Sequence, residues 1–68
     1  MPLLINGEPH PLESPQSLYH LLETLGYEPK SIAVALNGRF VPRHQYISCM
    51  ITDDDSQELE VVAPMQGG

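Results

Sequence analysis

The chain has 68 residues, nine acidic against three basic side chains, a formal net charge of −6 and a single cysteine, Cys49. That length allows one domain with one small core and a thin stability margin, with no internal disulfide and no Cys/His group at zinc-ligand spacing to reinforce it. The acidic balance and the lack of any basic run argue against nucleic acid and anionic membranes as partners, and so short a scaffold has little material to wall a deep catalytic cleft.

The first residues, Met1 to Gly7, carry no basic stretch, and their apolar run ends at Ile5. No signal peptide is expected from them, no later segment is long enough to span a bilayer, and the predicted location is the cytoplasm. Leu3-Leu4-Ile5 followed by Asn6-Gly7 reads as a short strand entering a two-residue hairpin turn, because Asn and Gly accept the positive φ such a turn needs. The return segment over 8–13 contains Pro9 and Pro11, which lack a backbone donor and so place this strand on a sheet edge. Ser14-Pro15-Gln16 breaks the extended pattern.

Ser17 is a predicted N-cap, and Leu18, Leu21, Leu22 and Leu25 behind it form one apolar helical stripe. Gly26 follows where a helix usually ends in a left-handed residue. A helix this short persists only if its leucine face packs on a sheet. After the connector Glu28 to Ser31, the run Ile32 to Leu36 reads as a central strand covered on both faces. Asn37-Gly38 is a second hairpin signal, Arg39-Phe40-Val41 begins the return strand, and Pro42 ends it. Arg43 to Met50 shows no clear period and is read as a turn or short helix, then loop. Asp53 to Ser56 is a polar connector, and Leu59 to Ala63 alternates as a last strand.

The order ββ-α-ββ-β predicts an α+β fold with a mixed sheet of about five strands and one main helix on one face. Among known arrangements it fits the β-grasp, or ubiquitin-like, fold. Residues 1–63 are expected to form that domain and 64–68 a flexible tail.

The strongest chemical signal is the terminal pair Gly67-Gly68. Without a Cβ, these residues let the backbone enter a narrow channel in a partner's active site. The Gly68 carboxylate would be unhindered and ionised at neutral pH. An ATP-using partner can activate it as an acyl-adenylate, and sulfur displacing the nucleotide leaves a thiocarboxylate. A glycine pair is also what a frayed end looks like. Its place directly after a predicted strand favours a working end.

Over nearly its whole length the chain resembles the ThiS family, the sulfur carriers of thiamine thiazole synthesis. The resemblance rests on Leu3-Leu4-Ile5-Asn6-Gly7, the Leu18-Leu21-Leu22 helix ending in Leu25-Gly26, and Ala33-Val34-Ala35-Leu36-Asn37-Gly38. Val41-Pro42-Arg43 is similar to the family's V-P-R segment, with Tyr46 near its usual aromatic or polar position. The stretch Leu59 to Gly68 resembles its last strand and tail.

The resemblance implies that Gly68 is adenylated by a ThiF-like adenylyltransferase using ATP. It also implies that a cysteine desulfurase/sulfurtransferase system supplies the sulfur, and that thiazole synthase withdraws it from the thiocarboxylate. This chain would bind no cofactor itself and would be a substrate of its partners, not an enzyme. A related reading is the small subunit of molybdopterin synthase or a carrier for another sulfur-containing product. From a different class come a ubiquitin-like modifier and a non-covalent interaction module. One departure stands out: where the family has Asp-Gly-Asp before its last strand, this chain has Asp55-Ser56-Gln57, so the turn is rebuilt or lengthened.

Pro64, Met65 and Gln66 are expected either to thread into the partner with Gly67 or to serve as linker, Met65 offering an adaptable apolar surface. Val62 and Phe40 are candidates for an apolar partner surface, with core packing the other reading for Phe40. Arg43 is a candidate partner contact, although Val41-Pro42-Arg43 also reads as a structural strand end in which Arg43 caps a turn or pairs with an acid. Asp53-Asp54-Asp55 lacks the alternating ligands of a calcium loop and reads as a solvated turn. His10, His20 and His44 show no ligand or triad spacing, and Cys49 reads as a small buried hydrophobe or, alternatively, a thiol that traps the thiocarboxylate.

Overall fold

A computed structural model describes residues 3–53 and 57–63. Strands β1 (Leu4–Ile5) and β2 (Glu8–Pro9) form the first hairpin, and β3 (Gln16–Ser17) leads into helix α1 (Leu18–Thr24). A 3₁₀ turn over Pro29–Ser31 precedes the second hairpin, β4 (Ala33–Leu36) and β5 (Arg39–Val41). A second 3₁₀ turn (Arg43–Gln45), β6 (Met50–Ile51) and β7 (Glu58–Val62) complete the elements among the described residues.

The five-stranded sheet has the order β2-β1-β7-β4-β5. The last strand therefore lies at its centre, parallel to β1 and antiparallel to β4. With one helix on one face, this is the expected β-grasp arrangement. Both hairpins turn where the sequence predicts: Asn6 and Gly7 have φ of 52° and 83°, Asn37 and Gly38 of 53° and 82°. Two successive positive φ values define the turn whose twist suits flanking strands. The sheet's edges carry Pro9 on β2, and Arg39 with Pro42 at and beyond the ends of β5. These are devices that discourage strand addition from outside.

Helix α1 is secured at both ends. Its first three N–H groups donate to the Cys49 carbonyl (Leu18, 2.7 Å), the Tyr46 carbonyl (Tyr19, 3.0 Å) and the Ser17 hydroxyl (His20, 3.1 Å). These are donors a helix cannot satisfy internally. At the other end Gly26 adopts φ 90°, Gly26 N–H donates to the Glu23 carbonyl and Tyr27 N–H to that of Leu22. That bond pair is the Schellman arrangement, built on the left-handed Gly26 that the sequence predicts. Leu18, Leu21 and Leu22 are buried and pack in one cluster with Ile5, Val34, Val41, Leu59 and Val61 from the sheet and with Leu3 just before β1. Tyr46 and Ile51 close the core beside them. At about 1.5–3 kcal/mol for each fully buried large aliphatic side chain, this stripe holds a seven-residue helix that would not persist alone.

The structure departs from the sequence reading in four places. The return strand predicted over 8–13 is paired only at Glu8–Pro9, with one further bond from His10 N–H to the Leu3 carbonyl. Gln16–Ser17, read as part of a break and a cap, pairs with Met50–Ile51, of which Met50 is read as loop and Ile51 is assigned to no element, in a separate two-stranded ladder. Two-residue strands leave no periodic signature, so neither was visible. The segment Ile32 to Leu36 is covered on one face only: Ile32 and Val34 are buried, whereas Ala33 is exposed and Ala35 half-exposed. Its apolar run reflects small alanines facing outward, not a second covering layer. Fourth, the connector before β7 is closed by side chains. Gln57 Oε1 accepts from both Thr52 N–H (3.0 Å) and the Thr52 hydroxyl (3.2 Å), and Asp53 Oδ1 accepts from Leu3 N–H (3.1 Å). Residues 54–56, where the sequence departs from the family's Asp-Gly-Asp, lie outside the described residues.

Candidate functional site: the central strand and the outer face of the sheet

The residues expected to carry the chemistry follow β7, a strand held on both sides. It is hydrogen-bonded to β1 on one side and β4 on the other. Each ladder is completed by a turn asparagine. On the β4 side, Asn37 N–H donates to the Glu58 carbonyl (2.8 Å), and Glu58 N–H donates back to Asn37 Oδ1 (2.8 Å). On the β1 side, Asn6 N–H donates to the Leu59 carbonyl (2.8 Å), and Val61 N–H donates to Asn6 Oδ1 (2.8 Å). After Asn6 the chain turns away, so the next backbone carbonyl is not there to accept. The side-chain amide takes its place. Sequence reasoning assigned both asparagines to their turns and missed this second role.

Pro64, Met65, Gln66, Gly67 and Gly68 lie outside the described residues. The flanking partner-surface candidates lie within them. Val62 and Phe40 are 61% and 70% exposed, which settles the two readings of Phe40 against core packing. Ala35 stands opposite Phe40 on one side and Glu60 on the other, while Ala33 stands opposite Val62. Phe40, Ala35 and Glu60 thus form one cross-strand row, with Ala33 and Val62 in the next. They line a shallow hollow of about 160 Å³ on the sheet face away from the helix. The two alanines and Glu60 were not singled out from sequence. The signal was present in the alternation of Ala33 with Ala35 and of Glu60 with Val62.

Arg43 is exposed, and its guanidinium donates to the Lys30 carbonyl at 3.0 Å. This joins the two 3₁₀ turns. Tyr46, at the V-P-R-adjacent position, is a core residue only 2% exposed. Burial pushes its phenol pKa up, partly offset by the nearby Arg43 charge. Cys49 is half-buried against the core, and burial pushes its thiol pKa up as well. A raised pKa keeps a thiol protonated and unreactive, which fits the small-hydrophobe reading. Among the described residues no group of three or more His, Cys, Asp or Glu could hold a metal ion. No helix among them is long and apolar enough to cross a membrane.

Comparison with known proteins places these features in a lineage. The ThiS family profile matches residues 3–68, so it includes the Gly-Gly end. The chain is 40% identical over 67 residues to the sulfur carrier protein ThiS of Thermus thermophilus, covering 94% of this chain and 95% of that protein. It is 38% identical over 68 residues to a thiazole synthase of Magnetococcus marinus. That match takes in the whole of this chain but only 20% of the relative's length. The crystal structure of a thiamine biosynthesis protein (ThiS) from Geobacter metallireducens superposes with a TM-score of 0.82 at 25% identity, covering all of both chains. With a family match across nearly its full length and the same fold, the chain belongs to the ThiS family.

Proposed function

We infer that this chain is a sulfur carrier for building the thiazole ring of thiamine. The observation that carries the reading is the family match running through Gly68, directly beyond a central strand held on both sides. In the proposed cycle a ThiF-like adenylyltransferase uses ATP to convert the Gly68 carboxylate to an acyl-adenylate, expelling pyrophosphate. Persulfide sulfur delivered by a cysteine desulfurase/sulfurtransferase system attacks the acyl-adenylate and displaces AMP. A second thiol then reduces the resulting acyl disulfide, forming a disulfide with the delivering cysteine and leaving a terminal thiocarboxylate. Thiazole synthase then withdraws the sulfur and the carboxylate is regenerated.

The chain's own part is to present an unhindered acyl group and a docking surface. Gly67 and Gly68 let the main chain enter a narrow site, with Pro64, Met65 and Gln66 threading behind them. Val62 and Phe40 supply apolar contact area, and Arg43 sits exposed beyond the end of β5 as a further contact. Both activation and sulfur withdrawal occur in partner active sites, so the chain acts as their substrate and works in the cytoplasm where ATP is available. The thiazole synthase relative supports that enzyme as a partner, because a stretch resembling this whole chain sits within its polypeptide.

The test is intact-mass measurement after incubation with the adenylyltransferase, ATP and a desulfurase with cysteine. A mass gain equal to replacing one oxygen by sulfur, absent when Gly68 is deleted, is the expected result. An unchanged mass beside a demonstrably active enzyme system would overturn the reading. Conjugates on partner lysines in place of a free thiocarboxylate would point to a ubiquitin-like modifier.

A further inference from the structure

The hollow on the outer face of the sheet combines features that an apolar contact patch does not need. Its floor is formed by the methyl groups of Ala33 and Ala35, and it is bordered by the Phe40 ring on one side and by Glu60 with Val62 on the other. Phe40 lies on β5 and Glu60 on β7, with only Ala35 of β4 between them. Neighbouring strands are about 4.8 Å apart, so the two backbones are roughly 10 Å apart across an alanine floor. That gap admits one flat group between a carboxylate and an aromatic ring. A cation held within about 6 Å of a ring centroid gains from the ring's quadrupole, and a guanidinium can stack on the ring while pairing with a carboxylate. A lysine ammonium matches only the charge.

We propose that this hollow is the receptor for an arginine side chain of thiazole synthase, seated between Phe40 and Glu60 when the carrier docks. The proposal rests on the sulfur-carrier reading and adds to it the chemistry by which the partner recognises the sheet. Charge complementarity supports a cationic occupant, since the chain carries a net charge of −6 and places a carboxylate in the middle of its apolar face. Continuity supports an enzyme that receives the tail: Val62, at the rim, is two residues before Pro64. An arginine seated here would fix the register of docking while the Gly-Gly end is threaded.

The experiment is calorimetric titration of thiazole synthase from the same organism with the intact carrier and with Glu60→Gln, Phe40→Leu, the double variant and Glu58→Gln. Glu60 and Phe40 are both exposed, so the variants keep the fold, which circular dichroism checks. Glu60→Gln is expected to weaken binding about tenfold and Phe40→Leu about fivefold, as loss of a charge-assisted pair and of a ring contact should. The double variant should fall well short of the product of the two, because both act on one cation. Glu58→Gln, an acid on the same face but outside the hollow, should change binding less than twofold.

Independent, multiplicative effects of Glu60 and Phe40, or a loss with Glu58→Gln equal to that with Glu60→Gln, would overturn the arginine receptor. So would a wild-type complex indifferent to both positions. The carrier reading is judged separately, by sulfur loading of the wild-type protein. A carrier that loads sulfur yet forms no complex with thiazole synthase would refute the docking proposal while leaving sulfur carriage intact.

Discussion

Replacing Asn6 with glycine separates the hairpin turn from the support of β7. Asn6 holds φ 52°, which glycine adopts freely, so the turn survives the change. What disappears is Oδ1, and with it the acceptor for Val61 N–H at 2.8 Å. That bond is partly buried and the Val61 side chain is only 7% exposed, so water is a poor replacement. Leaving a buried donor unsatisfied costs about 1–3 kcal/mol. Two smaller terms oppose each other: relief of side-chain strain in the left-handed region, and the glycine's extra unfolded-state entropy, about 0.5–1 kcal/mol.

The net expectation is a loss of about 1–2 kcal/mol, which at about 4–8 °C per kcal/mol for a domain of this size lowers Tm by roughly 5–15 °C. Thermal and urea unfolding followed by circular dichroism at pH 7 measure it. Asn6→Asp keeps both the turn and an acceptor oxygen and should recover most of the loss. Asn37→Gly is the internal control. Its bond to Glu58 N–H is exposed, so water can substitute and the loss should stay near the low end for a hydrogen bond, about 0.5 kcal/mol. A loss with Asn37→Gly equal to that with Asn6→Gly, or no recovery with Asn6→Asp, would refute the claim that the Asn6 side chain supports β7.

Leu21→Ala removes a side chain 1% exposed at the helix–sheet contact and should cost about 2–5 kcal/mol, a large share of the total for a 68-residue domain; a shift of the urea midpoint toward zero checks it. Ser17→Ala should cost about 1 kcal/mol by removing the acceptor for His20 N–H, with Ser17→Asp recovering it in the same unfolding assay. Burial raises the pKa of both Cys49 and Tyr46, so the unfolded chain ionises first and binds fewer protons through that window. Their contribution is full below about pH 8.5 and lost progressively above it, through the ordinary phenol value of about 10. Tm should therefore fall with rising pH more steeply in the wild type than in Cys49→Ala/Tyr46→Phe, and equal slopes would remove burial of these groups as the cause.

Where one residue type dictated one local geometry, the sequence was sufficient. Asn6-Gly7 and Asn37-Gly38 announced both hairpins, Ser17 and Gly26 marked the ends of the helix, and the leucine stripe named the face it buries. Elements that exist only through partners were hidden. Gln16–Ser17 and Met50–Ile51 are strands because they meet each other, across a sequence separation no local pattern spans. The same applies to the hollow. Phe40, Ala35 and Glu60 come from three strands, and only the registers of β4 with β5 and with β7 put them in one row. The face of β4 was misread for a related reason. Alanine scores as apolar in a pattern, yet its methyl group is small enough to face solvent at little cost, and Ala33 does so.

In the proposed cycle, the placement of β7 ties docking to delivery of the end. An end carried on an edge strand could peel away when a partner drew it into a narrow site, because only one ladder would resist. Here the strand is bonded on both flanks and both turn asparagines complete its ladders, so drawing on the tail strains bonds to β1 and β4 together. The domain can stay folded while the end is threaded. Val62 belongs both to this strand and to the proposed docking surface, so a partner that grips the outer face also fixes where the tail begins. From Val62 to Gly68 there are six residues, and an extended chain spans at most about 3.3–3.6 Å for each. On the proposed reading, with Gly68 as the reacting residue, the partner's reacting centre lies within roughly 20 Å of the surface that grips Val62. That bound links the sheet face to the chemistry: a partner whose active site lies deeper than the tail can reach cannot hold the face and use the end at once.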